Sequence, residues 1–262
     1  MNIRLNGKKA LVCGASQGIG KAIALEFARM RASVTITARD EKNLKLVLAD
    51  MQKESAQDHT YIVSDFSKPS EAIVAVENEI FAGHHFDILI NNTGGPAHGH
   101  LQNASIDDLK KAFDMHVIMS QLLAQIIIPS MKEKHFGRII NIISVGAKQP
   151  IEGLGVSNTI RGAMASWAKT LARELGDSGI TVNNILPGYT KTMRLNNLIE
   201  INARNAGISF EEAEQVLIEK TPVGRLGLPE EIAYAAGFLA SEFASFISGI
   251  NLPVDGGFLS TL

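Results

Sequence analysis

The sequence predicts a doubly wound α/β fold in which a seven-stranded parallel sheet carries helices on both faces. Short apolar runs alternate with segments of helical periodicity along all 262 residues, the pattern of repeated strand–helix units. The runs are rich in Val and Ile without strict alternation, as expected for strands buried on both faces. No linker or repeat divides the chain, so we expect a single domain over residues 1–262.

The predicted elements alternate in one continuous order. Seven apolar runs are predicted as strands: Lys9–Cys13, Ser33–Thr37, Thr60–Ser64, Asp87–Ile90, Gly137–Ile143, Thr181–Leu186 and Asn251–Val254. Segments with apolar residues at helical spacing are predicted as helices: Gly18–Met30, Glu41–Lys53, Pro69–Phe81, Ile106–Met131, Val156–Leu175, Phe210–Glu219 and Pro229–Leu239. The segment between Thr192 and Thr221 is longer than a tight connection needs, and its apolar spacing predicts a helical lid at about 191–222.

Composition narrows the classes of function. Hydrophobic residues make up 45% of the chain, and the net charge of −2 favours neither nucleic acid nor an anionic membrane surface as partner. The single cysteine, Cys13, excludes an intrachain disulfide, and no His/Cys/Asp/Glu cluster has the spacing of metal ligands. No signal region or membrane-spanning run is present, so we expect a cytoplasmic protein that acts on a small molecule.

A glycine-rich turn joins the first strand to the first helix. Its sequence is Gly14-Ala15-Ser16-Gln17-Gly18-Ile19-Gly20. Glycines permit a tight turn and let the backbone approach a pyrophosphate, while the helix N-terminus supplies free N–H groups. The spacing is G-x-x-x-G-x-G rather than G-x-G-x-x-G, but its place in the first βαβ unit favours a ligand site over a plain connection. The turn therefore predicts a Rossmann-type dinucleotide site.

The end of the second strand indicates which dinucleotide binds. NAD-binding domains usually carry an acidic residue here for the ribose 2′-hydroxyl, but this chain has Ala38 followed by Arg39. A guanidinium suits a 2′-phosphate, so we predict NADP(H). The alternative is that Arg39 is a solvated loop residue and Asp40 supplies the acid, which would favour NAD(H).

With these residues the chain resembles the short-chain dehydrogenase/reductase family from Lys8 to Gly257, and it is most similar to the β-ketoacyl-acyl-carrier-protein (3-oxoacyl-ACP) reductase type. The matching motifs are Cys13–Gly20, Ser64-Asp65-Phe66, Asn91-Asn92-Thr93-Gly94, Pro187-Gly188 and Val254-Asp255-Gly256-Gly257. The resemblance implies an oxidoreductase acting on a carbonyl or alcohol, as a homotetramer or dimer. Together with the turn and Arg39 it gives these cofactor residues: Gly14, Ala15, Ser16, Gln17, Gly18, Ile19, Gly20, Arg39, Asp65, Phe66, Asn91, Asn92, Gly94, Arg161, Pro187, Gly188, Thr190 and Thr192.

The catalytic positions of the family match only in part. Ser144 stands where the family has its serine after the fifth strand. The family's tyrosine and lysine positions hold Ser157 and Arg161, and the helical asparagine falls on or near His116. A serine hydroxyl is a much weaker acid than a phenol, and an arginine keeps its charge but does not relay protons. We therefore expect cofactor binding to survive while the usual proton path is changed.

Other residues could carry the proton. Histidine titrates near neutrality, so His116 is a candidate, although a locally hydrogen-bonded helix histidine is the favoured alternative. Tyr189 follows Pro187-Gly188 and either faces the nicotinamide or forms an aromatic wall. The loop histidines His98 and His100 are expected to be solvated.

Two functions remain open from the residues. The first is an active NADP(H)-dependent oxidoreductase with a non-standard proton relay, which uses the retained Ser144 and the cation Arg161. The second is a catalytically silent NADP(H)-binding protein that acts as a sensor or an assembly subunit, because the phenol is lost. The lid and Ser144 favour the enzyme, since a pure binder has little use for a pocket.

Overall fold

One parallel sheet of seven strands organises the computed structural model, which describes residues 3–96 and 98–261. The strands are β1 (Lys9–Cys13), β2 (Ser33–Ala38), β3 (Thr60–Val63), β4 (Ile88–Asn91), β5 (Gly137–Ile142), β6 (Ile180–Pro187) and β7 (Asn251–Val254). Their order across the sheet is β3-β2-β1-β4-β5-β6-β7, so the winding reverses between β1 and β4. The predicted doubly wound fold is confirmed, and a crevice is expected where the winding reverses.

Helices cover both faces of the sheet. Within the described residues they are α1 (Gly18–Arg29), α2 (Glu41–Glu54), α3 (Pro69–Phe81), α4 (Ile106–Phe113), α5 (Met119–Glu133), α6 (Gly155–Leu175), α7 (Met193–Ala206), α8 (Phe210–Glu219) and α9 (Pro229–Ala240). Helices α7 and α8 lie in the predicted lid segment and pack on each other through Ile199 and Leu217. The outer ends of the predicted strands and helices agree with these bounds or differ from them by at most two residues.

The strand sequences explain why both faces are covered. Successive side chains of a strand point to opposite faces, so Leu11 and Val12 enter different cores. Leu11 packs in the core that contains Leu123 of α5, whereas Val12 packs in the core that contains Phe27 of α1. Both faces need apolar residues, which accounts for the Val- and Ile-rich runs.

A chain of asparagines crosses the sheet inside the core. Asn91 Nδ2 donates to Asn141 Oδ1 over 2.8 Å, and Asn141 Nδ2 donates to Asn184 Oδ1 over 2.8 Å. Asn184 Nδ2 in turn donates to Asn251 Oδ1 over 2.7 Å. The four residues are also direct backbone partners on β4, β5, β6 and β7. This asparagine ladder satisfies buried polar groups and fixes the register of four strands.

The helix predicted over Ile106–Met131 is not continuous, which corrects the prediction. A π-helical turn at Asp114–Ile118 separates α4 from α5, and α5 continues to Glu133. Met115 of this turn lines the groove described below, and such turns are frequent at functional sites. Its residue His116 is buried, and Ser120 Oγ donates to the His116 carbonyl over 2.6 Å.

The same stretch is long and apolar enough to cross a membrane by length and composition alone. In the structure Leu123, Ile127 and Met131 are fully buried against the sheet. The core helix of a folded domain has the same apolar character, so the stretch is accounted for by its packing.

The asparagine ladder gives a stability prediction. Replacing Asn141, which is fully buried, by Ala leaves Asn91 Nδ2 and Asn184 Oδ1 without partners. We expect Asn141→Ala to lower the free energy of unfolding by about 2–5 kcal/mol, since each buried unpaired group costs about 1–3 kcal/mol. Urea denaturation measures this loss. Asn202→Ala on the exposed face of α7 is the control and should stay within about 0.5 kcal/mol of wild type; an equal loss in both variants would contradict the ladder's role.

Candidate active site

The glycine turn is held against the loop after β4. Gly14 has φ +58° and Gly18 has φ +56°, a left-handed conformation that favours glycine. A β-carbon on Gly14 would collide with the Asn92 backbone, and one on Gly20 would collide with the Gly14 carbonyl. Asn92 Nδ2 donates to the carbonyls of Cys13 and Gly14 over 3.2 and 3.1 Å. The turn is thus a close-packed cradle at the start of α1 whose peptide groups can approach an anion.

A groove of about 1560 Å³, part of it open to solvent, runs from this turn past the ends of β2 and β3. The following predicted cofactor residues line it: Gly14, Ser16, Gln17, Gly18, Ile19, Arg39, Asp65, Phe66, Asn92, Gly94 and Thr192. Ala15, Gly20 and Asn91 do not line the groove. Ala15 is fully buried, Gly20 packs on the Gly14 carbonyl, and Asn91 belongs to the asparagine ladder.

The end of β2 separates the two cofactor alternatives. Asp40 is the N-cap of α2, and its carboxylate accepts hydrogen bonds from Asn43 N over 3.0 Å and Asn43 Nδ2 over 2.7 Å. Arg39 and Asp40 both line the groove, and Thr37 Oγ1 lies buried there without a partner among the described residues. Because the acid is engaged in capping and a cation faces the groove, these residues fit NADP(H) better than NAD(H).

Asp65 lies across the groove from the glycine turn. The Ser67 backbone N–H donates to its carboxylate over 3.0 Å, and this hydrogen bond, supported by the nearby charge of Arg39, holds the pKa of Asp65 below its usual range. The carboxylate is therefore ionised at neutral pH and can accept hydrogen bonds from a bound base.

A second cavity continues from the groove and encloses about 900 Å³, part of it open to solvent. We call it the catalytic cavity. It shares Ile19, Asn92, Thr93, Gly95, Thr192 and Arg194 with the groove, so the two spaces are continuous. The predicted residues Ser144, Ser157, Arg161, Pro187, Gly188, Tyr189 and Thr190 also line it. A ligand in the groove would thus reach the predicted catalytic side chains.

The two serines come from neighbouring elements. Ser144 follows β5, and its Oγ accepts a hydrogen bond from Gly146 N over 3.0 Å, which caps a short helical turn. Ser157 is buried in the first turns of α6. Asn158 ties the intervening loop to α6, because its side chain donates to the Ile151 carbonyl over 2.8 Å and accepts from Ile151 N over 3.2 Å. The loop and α6 therefore hold both hydroxyls at one wall of the cavity.

Arg161 and His116 form a buried polar pair. Arg161 Nη1 lies 3.3 Å from His116 Nδ1 and donates to the Ile142 carbonyl over 3.3 Å, while Thr93 Oγ1 lies 2.5 Å from the same Nδ1. A guanidinium only donates, so Nδ1 must accept and the ring hydrogen sits on Nε2. Nε2 is buried and makes no hydrogen bond of good geometry to a described residue. The geometry thus assigns a neutral imidazole.

Burial and charge act together on this pair. Burial and the adjacent Arg161 charge lower the pKa of His116 to about 2, and the Gly94 backbone opposes this only weakly. Burial and the charge of Arg194 lower the pKa of Arg161 to about 9. At neutral pH His116 is therefore uncharged and Arg161 is a cation. Of the two roles considered for His116, this favours a locally hydrogen-bonded histidine over a proton carrier.

Tyr189 and His98 complete the cavity wall, whereas His100 lies outside it. The Tyr189 ring packs edge to face on Phe258 with centroids 5.1 Å apart, and burial raises the pKa of its phenol. His98, expected to be solvated, instead lines the cavity with a buried Nδ1 that has no partner among the described residues. His100 is exposed, as expected. Tyr189 is thus an aromatic wall of the cavity, and its phenol is protonated at neutral pH.

Arg194 is a site residue that was not predicted from the sequence. It lies in the first turn of α7, and its Nη1 and Nη2 donate to the carbonyls of Gly95 and Pro96 over 2.9 and 3.2 Å. It therefore connects the lid to the loop after β4. The sequence signal that could have identified Arg194 was a basic residue shortly after Thr192. Its position at the cavity, however, depends on how the lid folds.

Comparisons with known proteins agree with this geometry. A family model described as enoyl-(acyl carrier protein) reductase matches residues 14–259. The chain is 32% identical over 260 residues to the NADPH-dependent reductase BacG of Bacillus subtilis, covering 98% of this chain and all of BacG. It is 32% identical over 257 residues to the 3-oxoacyl-[acyl-carrier-protein] reductase FabG of Rickettsia prowazekii, covering 98% and 99%. The structure of L-sorbose reductase from Gluconobacter frateurii with NADPH and L-sorbose superposes with a TM-score of 0.93 at 29% identity, covering both chains fully.

The neutral His116 gives a pH-dependent stability prediction. The unfolded imidazole takes up a proton below its ordinary pKa of 6.5, whereas the folded one stays neutral until about pH 2. The free energy of unfolding should therefore fall by about 1.4 kcal/mol for each pH unit below 6.5 because of this residue. His116→Asn should remove this part of the slope, measured by urea denaturation at about pH 7 and about pH 5. If the difference in unfolding free energy between wild type and His116→Asn were the same at both pH values, a buried neutral imidazole would be contradicted. The control variant is His100→Asn, because His100 is exposed.

Proposed function

Because the chain belongs to the short-chain dehydrogenase/reductase family, and is thus an oxidoreductase, we propose that it transfers a hydride between NADP(H) and a carbonyl or alcohol group of a small molecule. The observation that supports this most is the continuity of two spaces. The groove that contains Arg39 opens into a cavity lined by Ser144, Ser157 and Arg161. A dinucleotide lying along the groove would place its reactive end at these side chains.

The cofactor would be held along the groove by groups with separate tasks. The N–H groups of the Gly14–Gly20 turn would bind the pyrophosphate, and Arg39 would pair with the 2′-phosphate. Asp65 would accept a hydrogen bond from the adenine, and Arg161 would donate to the ribose next to the nicotinamide. When bound, the reduced nicotinamide supplies the hydride.

The catalytic cavity would stabilise charge on the substrate oxygen. The hydroxyls of Ser144 and Ser157 would donate hydrogen bonds to that oxygen and orient the carbonyl. The nearby guanidinium of Arg161 would favour the negative charge that develops there, and its burial strengthens this effect. His116 would act as a positioning residue, because its Nδ1 holds the Arg161 guanidinium in place.

We assign the proton transfer to Tyr189. Ser157 is too weak an acid, and His116 stays neutral in the working pH range. Tyr189 is the one tyrosine among the described residues that line the cavity, and its phenol is a stronger acid than the Ser157 hydroxyl even though burial raises its pKa. This relay differs from that of the family, whose tyrosine position is Ser157.

We also propose a homo-oligomer, a tetramer or a dimer. Ile106, Phe113 and Ile118 are exposed on the helical stretch α4–α5, and Phe246 is fully exposed near β7. A second copy of the chain would cover such apolar side chains. Sedimentation velocity would report the assembly, and a purely monomeric species would contradict this proposal.

The cofactor assignment predicts a selective loss. Arg39→Ala should raise the Kd for NADPH by about 10- to 100-fold, because charge-assisted hydrogen bonds to a phosphate contribute about 1.5–3 kcal/mol. The Kd for NADH should change by less than about 3-fold, since NADH has no 2′-phosphate. Fluorescence titration measures both values. Comparable wild-type affinities for NADH and NADPH would contradict the assignment.

The catalytic assignments predict losses of turnover. NADPH oxidation should be measured against a panel of carbonyl compounds for wild type, Ser144→Ala and Tyr189→Phe. Each variant should lose about 100-fold in kcat while binding NADPH normally. Tyr234→Phe is the matched control, because Tyr234 is exposed on α9. Tight NADPH binding by the wild type without hydride transfer to any compound would support a silent binder instead.

A further inference from the structure

The catalytic cavity carries positive charge without an acidic partner. Arg161 and Arg194 line it together with His98, and none of its described lining residues is Asp or Glu. Arg161 is 7% exposed, and its Nε is buried without a partner among the described residues. A buried charge is costly unless it is paired, so this cavity is built for a ligand that brings negative charge.

The Arg194 side chain is held in a defined position at one end of this cavity. Its guanidinium donates to the carbonyls of Gly95 and Pro96, and a β-carbon on Gly95 would collide with it. A guanidinium has five N–H donors, so two of them hold the group in place and the rest stay available. The side chain is thus oriented before any ligand arrives, which favours a planar anion bound by two parallel hydrogen bonds.

The groups around Arg194 also favour an anionic ligand. The pKa of Arg161 is lowered by burial and by the Arg194 charge, and the pKa of His98 is lowered by burial and by the same charge. The two cations and the neutral imidazole therefore share one region of positive potential. His98 Nδ1 is buried and unpartnered on the loop that Arg194 contacts, so it can give or accept a further hydrogen bond there.

We propose that the substrate is an oxo acid, or the hydroxy acid in the reverse direction, whose carboxylate is bound by Arg194. This proposal rests on the hydride transfer proposed above. In reduction a hydride from NADPH, which becomes NADP⁺, joins the carbonyl carbon, and a proton from Tyr189 joins the oxygen. Solvent then returns a proton to Tyr189, and the carboxylate stays unchanged. The carboxylate would lie at the Arg194 end, and the carbonyl oxygen would face Ser144 and Ser157.

A phosphate of the cofactor is the competing source of negative charge. Arg194 lines both the groove and the catalytic cavity, so its guanidinium is within reach of either space. The glycine turn already offers N–H groups to the pyrophosphate. At the end of the catalytic cavity near Gly95 and Pro96, Arg194 is the one fixed cation among the described residues that could bind a carboxylate. We therefore assign Arg194 to the substrate.

The test uses pairs of oxo acids and the methyl esters of the same acids, which differ in charge and little in shape. Wild type should prefer the acids in kcat/KM, and Arg194→Met should lower the acid-to-ester ratio by about 10- to 100-fold. The Kd for NADPH, measured by fluorescence, should stay within about 3-fold of wild type. Arg204→Met is the matched control, since Arg204 lies on the same helix, is exposed and pairs with Glu200.

Three other outcomes would overturn the proposal, and they are distinguishable. An unchanged acid-to-ester ratio with a raised Kd for NADPH would assign Arg194 to a cofactor phosphate. Wild-type preference for the esters would contradict the oxo acid class but leave the proposed hydride transfer standing. Turnover of neither acids nor esters, with NADPH bound, would overturn the proposed function as well. Binding of an unreactive carboxylate to the NADPH-loaded protein by calorimetry gives a readout that does not depend on turnover, and loss of that binding in Arg194→Met supports the proposal.

Discussion

The asparagine ladder is the constraint on which the site depends. Its hydrogen bonds fix β4, β5, β6 and β7 in one register, so the residues that follow each asparagine emerge at the same edge of the sheet. Asn92 follows the first rung, Ser144 follows the second by three residues, and Gly188 follows the third by four. Gly188 lies so close to Asp255, beyond the fourth rung, that a β-carbon on it would collide. A slip of one residue would turn every side chain to the other face and separate these groups.

A second constraint arises from burying a cation beside an imidazole. Arg161 keeps its charge in a region where the described lining has no carboxylate, and the same burial keeps His116 neutral. The π-helical turn brings His116 to this position, and Thr93 and Arg161 then direct their hydrogen bonds to one ring nitrogen. The protein thus uses the imidazole as a fixed acceptor, which is a different role from the proton transfer that its residue type suggests.

Much of the fold and the cofactor groove could be predicted from sequence because both depend on local patterns. The apolar runs gave the strands to within one or two residues, and the glycine spacing gave the cradle. The π turn was missed because one extra residue changes helical periodicity very little over a long apolar segment. Arg194 and His98 were missed because their positions depend on how a distant lid and loop fold over the cavity. Asp40 and Arg39 could be told apart only by the hydrogen bonds that Asp40 makes to Asn43.

The substitutions at Ser157 and Arg161 make chemical sense when taken together. A lysine can lose its proton in a buried site, whereas a guanidinium holds its charge, so arginine preserves the electrostatic term when burial is severe. A serine in place of a tyrosine removes an acid but also removes a ring, and Ser157 and Arg161 of α6 both line the cavity. A substrate oxygen could then approach the cation directly. In the proposed mechanism, charge stabilisation at α6 and proton donation from Tyr189 would be separate tasks, and the cavity would then support hydride transfer without a phenol at position 157.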